Sequence, residues 1–74
     1  MRIPSLDDLT SRELEVLRWL AEGKTSSEIG IIIGCAEATV KKHRYHIYRT
    51  LGVPNAISAA IFYRDALVAA AVGI

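Results

Sequence analysis

Between Thr25 and His43 the chain reads TSSEIGIIIGCAEATVKKH, a run in which apolar residues crowd together and are punctuated by glycine. Thr25, followed three residues later by Glu28, is a capping box in which each side chain satisfies a backbone donor of the other, so a helix starts near Ser26. It runs through Ile29, Gly30, Ile32 and Ile33 and stops at Gly34, which accepts the left-handed backbone that ends helices. Three residues later the helical period resumes. From Glu37 to Leu51, Val40, Arg44, Ile47, Tyr48 and Leu51 project to one side at about 100° per residue, while Lys41, Lys42, Tyr45, His46 and Arg49 project to the other. One face is apolar and the other basic.

The same logic places two more helices. Thr10 and Glu13 form a second capping box, opening a helix to about Glu22 that buries Val16, Leu17, Leu20 and Ala21 and stops at Gly23. Gly52, Val53 and Pro54 end the helix of the basic face, and Asn55 caps a last helix from Ala56 to about Val72. Residues 1–9 are expected as a mobile N-terminal arm, and residues 10–74 as one module. The predicted fold is all-α, a four-helix bundle containing a helix-turn-helix. At 74 residues there is room for one core, and a chain this short buries ~60% of its unfolded surface, so its stability is modest.

The central pair of helices suggests a purpose. Gly30, four residues before Gly34, puts no side chain between the two helices, and Val40, six residues after Gly34, fills the space where they cross. These offsets, with Ile29, Ile33 and Cys35 apolar between them, describe the steep crossing by which proteins present a helix to DNA. An ordinary helical hairpin without a ligand has the same outline. Charge supports the first reading: residues 1–37 carry four basic and seven acidic groups, residues 38–74 five basic and one acidic. Lys41, Lys42, Arg44 and Arg49 lie within nine residues on the second helix of the pair, and an exposed basic stripe attracts phosphate through counterion release.

Leu9 through Asn55 resembles the DNA-binding domain of LuxR-type transcriptional regulators. The matching positions are Leu9, Thr10, Arg12, Glu13, Glu15, Val16, Leu17, Ala21, Gly23, Glu28, Ile29, Gly34, Thr39, Val40, Lys41, His43, Ile47, Leu51, Gly52, Val53 and Asn55. Arg18 through Thr25 is most similar to the quorum-sensing, autoinducer-responsive subgroup. The resemblance implies a sequence-specific regulator that binds a palindromic operator as a homodimer through the major groove. Double-stranded DNA and RNA polymerase are its implied partners, and a sensory domain customarily precedes such a module. Base contacts are expected from Lys42 and Tyr45, and phosphate or mixed contacts from Lys41, Arg49, His46 and Thr39. Thr25, Ser26 and Ser27 begin the helix that crosses the DNA backbone, where their N–H groups suit a phosphate. The last helix carries only Arg64 and Asp65 as charges, and the resemblance places dimer contacts at Ile61, Tyr63, Arg64 and Leu67.

The chain departs from the family pattern in places. Ala36 stands where a serine cap is usual, Thr50 where lysine is common, Ile31 and Ile32 where polar residues are usual, Ala56 for a common arginine and Tyr63 for a small residue. Arg44 points along the apolar face, and its guanidinium is expected to snorkel to a carboxylate or phosphate. His43 is expected in a hydrogen-bonded structural role and Cys35 as apolar filler of the turn rather than a redox switch.

No paired-carboxylate cleft, phosphate-cradling glycine loop or nucleophile–base pair is visible, so neither enzymatic activity nor a cofactor is expected. No metal site is expected either, since His43, His46 and Cys35 lack a fourth ligand. Asp7 and Asp8 stand where a secretory leader would be apolar, and Ala66–Ile74 is too short to span a bilayer, so the expectation is a cytoplasmic protein with no membrane partner. Two alternatives stay open: a sigma-factor-like promoter-recognition domain, and a helical protein-interaction module using Ile31, Ile32 and the alanine-rich tail.

Overall fold

The computed structural model describes residues 3–73, which form a 3-10 turn and four helices: α1 (Ser11–Ala21), α2 (Ser26–Ile33), α3 (Glu37–Leu51) and α4 (Ala56–Val72). Among the described residues there is no strand. Each start has a local cause. The Oγ1 of Thr10 accepts the Glu13 N–H at 3.1 Å while the Glu13 carboxylate accepts the Thr10 N–H at 3.0 Å. Thr25 and Glu28 repeat this at 3.1 and 2.8 Å, and Asn55 Oδ1 accepts the Ser58 N–H at 2.9 Å. Glu28 therefore holds its proton less tightly than an ordinary glutamate, chiefly because the Thr25 backbone N–H favours the carboxylate.

The core is built from one side of each helix: Val16, Leu17, Leu20 and Ala21 of α1, Ile29 of α2, Val40, Ile47 and Leu51 of α3, and Ala59 of α4. α4 lies mainly on α1, and α2 packs on α3. Two arginines tie helix ends together. Arg12 Nη2 donates to the Ile33 carbonyl at the end of α2 (2.9 Å), and Arg64 Nη2 donates to the Ala21 carbonyl at the end of α1 (2.7 Å). Both supply positive charge to a helix C-terminus, where unpaired carbonyls and the dipole favour it.

The expected mobile arm is corrected in part. Leu6–Asp8 forms a 3-10 turn in which Ser5 Oγ accepts the Asp7 N–H and the Asp8 carboxylate accepts the Ser5 N–H, at 3.2 and 3.0 Å. Leu6 and Leu9, three residues apart, both pack against the core, which is what holds this segment down. Met1 and Arg2, the start of that arm, lie outside the described residues.

Ala36 precedes α3 without any side-chain cap bond. Its backbone is already extended (φ −68°, ψ 149°), the conformation of a capped residue, so Ala36→Ser needs no rearrangement. The substitution is expected to stabilise the domain by ~1 kcal/mol. In thermal denaturation this raises Tm by roughly 4–8 °C for a domain of this size, and an unchanged Tm would show that the α3 start is satisfied otherwise.

Candidate nucleic-acid interface

The turn between α2 and α3 fixes everything that follows. Gly34 takes the left-handed conformation (φ 76°, ψ 40°), and the Gly30 carbonyl accepts the N–H groups of both Gly34 and Cys35 at 2.9 Å. This tight return brings the Cys35 carbonyl over Gly30 so closely that a Cβ on Gly30 would lie 2.6 Å from that oxygen. What Gly30 makes room for is thus the backbone of the turn, rather than the side of the second helix. Val40 is fully buried at the crossing, as its spacing suggested.

α3 is held by Val40, Ile47 and Leu51 and turns Ala38, Thr39, Lys41, Lys42, Tyr45, His46 and Arg49 outward. Within this row the side chains are differently engaged. Lys41 Nζ lies 3.4 Å from the Glu37 carboxylate one turn earlier. Arg49 Nη1 donates to Tyr45 Oη at 3.1 Å, with its guanidinium carbon 5.6 Å from the centre of the Tyr45 ring. His46 leans toward α1, its Nδ1 3.8 Å from a Glu13 carboxylate oxygen. Lys42 is exposed, and among the described residues it has no hydrogen bond or ion pair, so its ammonium is committed to water alone.

At the start of α2, Thr25 and Ser27 are exposed, Thr25 using its hydroxyl as the cap. The first N–H groups of a helix lack intrahelical acceptors, and at this one the exposed residue beside the positive end of the dipole is Ser27. Ser26 as a whole residue is only 4% exposed, and its hydroxyl receives Arg44 Nη1 at 2.6 Å. Ser26 thus shows little of itself to a ligand, and its hydroxyl is already occupied by α3. Arg44 itself reaches Ser26 and the Tyr48 hydroxyl (2.9 Å), not the carboxylate or phosphate expected for it. His43 is half-buried and makes no side-chain hydrogen bond among the described residues, unlike the bonded role expected. Cys35 is half-buried and packs on the core.

A helix whose exposed side is basic, a second helix whose start lies beside it, and a turn closed by Gly30 and Gly34 make a helix-turn-helix. Comparison with known proteins identifies its kind. Residues 7–63 match the family described as "Bacterial regulatory proteins, luxR family". The chain belongs to the luxR family. Among relatives, 53 residues are 58% identical to the transcriptional activator protein AnoR of Acinetobacter nosocomialis, covering 72% of this chain and 22% of AnoR. Over 54 residues it is 43% identical to the HTH-type quorum-sensing regulator RhlR of Pseudomonas aeruginosa, covering 73% of this chain and 22% of RhlR. Over 55 residues it is 40% identical to the regulatory protein SdiA of Escherichia coli, covering 74% and 23%. The match thus spans about a fifth of each of these relatives. These 74 residues are a luxR-type helix-turn-helix DNA-binding domain, of a family of regulators rather than enzymes. Family membership decides against the sigma-factor-like alternative.

On α4 the luxR-family domain differs from expectation in detail. Ile57, Ile61, Val68 and Val72 share one side of the helix and are all exposed, Ile57 at 75% and Ile61 at 55%. Leu67 borders this stripe and is also exposed. Tyr63, expected with them, packs instead against the core, because it follows Ala56 and Ala59 around the inner side. Arg64 lies within the outward stripe, but its guanidinium is drawn back to Ala21. Ile57, Val68 and Val72 were not among the expected residues; their spacing of 11 and 4 residues from Ile57 through Val68 to Val72, with Ile61 between, is a helical face once α4 is taken as half-covered.

Proposed function

We propose that this domain binds a palindromic operator as a dimer, with α3 in the major groove, as the DNA-reading part of a cytoplasmic quorum-sensing regulator that meets RNA polymerase at its promoters. The observation that carries the reading is the outward basic side of α3 with Lys42 unengaged. A free ammonium loses only water on meeting guanine acceptors, whereas Lys41 and Arg49 must first give up Glu37 and Tyr45. Lys42 reads bases, as does Tyr45 on the same outward side. Lys41, Arg49, His46 and Thr39 hold phosphate, as do the hydroxyl of Thr25 and the start of α2 at Ser26 and Ser27, where the positive end of the dipole lies. Arg49 leaves Tyr45 for phosphate, which frees the Tyr45 hydroxyl for a base.

One α3 spans only a few base pairs, and a second copy about 34 Å away on the same face of the duplex doubles the sequence read. The α4 stripe supplies the means. With Arg64 tied to Ala21, the outward residues Ile57, Ile61, Leu67, Val68 and Val72 form a largely apolar surface for a second copy, with the exposed Asp65 as its one free charge among the described residues. The names of AnoR, RhlR and SdiA as an activator, a quorum-sensing regulator and a regulatory protein support the role as a regulator's output domain.

The test is selection from random duplexes with wild type, Lys42→Ala and Arg49→Ala at two salt concentrations. Lys42→Ala is expected to relax preference at one position per half-site by ~1–3 kcal/mol, and Arg49→Ala to weaken all sequences alike and lower the salt slope by about one. The same enriched sequences at the same strength for all three proteins would remove the assignment.

A further inference from the structure

Val40, Ile47 and Leu51 form the buried stripe of α3, and Arg44 stands in the middle of it. Stability alone gives no reason for a guanidinium there. Its two side-chain partners are neutral hydroxyls, Ser26 Oγ at 2.6 Å and Tyr48 Oη at 2.9 Å, and its carbon lies 5.9 Å from the centre of the Tyr48 ring. Among the described residues no carboxylate pairs with it. Ser26 is also the first residue of α2, so the cation sits at the positive end of that helix, where the dipole disfavours it. An aliphatic side chain of similar length would fill the stripe without either cost.

What the bond does achieve is mechanical. α2 is joined to α3 at its C-terminal end by the turn over Gly30, and Ile29 packs between them. Arg44 to Ser26, a contact between residues 18 apart in the chain, is the hydrogen bond that fastens the other end. A helix of 8 residues is about 12 Å long, so a swing of about 5° about the turn displaces its N-terminus by ~1 Å. That is more than the spread of distances an N–H to oxygen hydrogen bond allows.

We propose that Arg44 is a positioning residue for DNA binding: by holding the Ser26 hydroxyl it fixes the start of α2 relative to α3, so that phosphate at the start of α2, beside the exposed Ser27, and bases at α3 are met in one register. The inference rests on the two-helix contact described under Proposed function. Arg44 itself touches no DNA in this arrangement. Its charge stays with Ser26 and Tyr48, and its effect on affinity passes through the Ser26 side chain.

The experiment uses Arg44→Met, Ser26→Ala and the double variant. Each is titrated into the duplex that wild type selects, followed by fluorescence anisotropy over a range of salt, with thermal denaturation of each protein alone. Arg44→Met is expected to melt at or above the wild-type temperature yet bind on the order of ten-fold more weakly, the loss typical of one charge-assisted hydrogen bond. Ser26→Ala, which removes no charge, is expected to lose about as much. The double variant should be no weaker than either single one, and the salt slope should be unchanged throughout. Wild-type affinity in both single variants would overturn the proposal. So would a salt slope lowered by about one in Arg44→Met with Ser26→Ala neutral, which would mean direct contact with phosphate. If Arg44→Met does not fold, Ser26→Ala decides, and full affinity in that variant overturns the proposal. If wild type itself binds no duplex, the DNA-contact reading and this inference fall together, whereas tight wild-type binding with indifferent variants removes this inference alone.

Discussion

Gly30→Val is expected to destabilise the domain by at least about 3 kcal/mol, the upper part of the range for overpacking a filled site. The reason is the identity of the obstacle. A Cβ at this position would lie 2.6 Å from the Cys35 carbonyl oxygen, a backbone atom, and also 3.5 Å from the Glu37 N–H nitrogen and 3.6 Å from the Ala36 carbonyl carbon. A side chain could rotate away, but the turn cannot: Cys35 is anchored by its own N–H to the Gly30 carbonyl, and Gly34 is committed to its left-handed conformation. Even a single methyl 2.6 Å from a backbone oxygen forces the turn to shift. Two further methyls on a branched carbon leave no direction for that shift. Relief then requires α3 to move off α2, which uncovers Val40 and Ile29, both now fully buried. For a domain this small, such a loss is most of its stability. Urea denaturation of Gly30→Val against wild type measures it, and a midpoint within experimental scatter of wild type would show that the turn is softer than its geometry implies.

Gly30 also shows how far the residues alone reach. The starts of α1, α2 and α4 were legible because each signal is local: the capping boxes of Thr10 with Glu13 and Thr25 with Glu28, and the cap of Asn55 on Ser58, depend on neighbours three residues apart. The inward faces of α1 and α3 were legible from period, since Val16, Leu17 and Leu20, and Val40, Ile47 and Leu51, each fall on one side of a helix. What the period does not carry is where a long side chain ends. Arg44 was rightly placed on the inner face of α3, yet its partner is Ser26, a residue read as part of the DNA contact by its position at a helix start. The structure buries that residue almost wholly, with its hydroxyl turned to α3. The 3-10 turn at Leu6–Asp8 escaped for a related reason, because two leucines among polar residues predict burial only when the surface receiving them is known.

The same limit applied to α4, whose sequence is apolar nearly all round and so names no inner face. Position was decided by the partners. Ala59 is buried against the core, Phe62 and Tyr63 pack on its edge, and the residues from Leu67 onward extend past it into solvent. Arg64, the cation of this helix, would interrupt the outward stripe if its head stood free. Bound to the last carbonyl of α1, it does not. Solvent therefore meets apolar residues on this side of α4, with Asp65 the charge left among them.

Ile61→Glu is accordingly expected to separate pairing from DNA contact. Ile61 is exposed, at 55%, on the rim of an open cleft that Leu20, Thr25 and Arg44 also line, so the substitution changes monomer stability by no more than about 0.5 kcal/mol, the range for surface positions. On a duplex with one half-site, affinity is expected to stay within two- to three-fold of wild type, since no residue of α3 or of the start of α2 is itself changed. In the proposed isologous contact, however, each copy brings its own carboxylate into the shared apolar surface, so the substitution counts twice. On a palindromic duplex the second domain then no longer arrives at the high effective concentration that pairing provides. The apparent affinity is expected to fall by ~100-fold or more, with the binding curve losing its steepness. Electrophoretic mobility shift on one-half-site and two-half-site duplexes separates the two effects directly. Equal weakening on both duplexes would place Ile61 at the DNA rather than between copies. Wild-type affinity on the palindrome would remove α4 as the pairing surface, leaving each α3 to read its half-site alone.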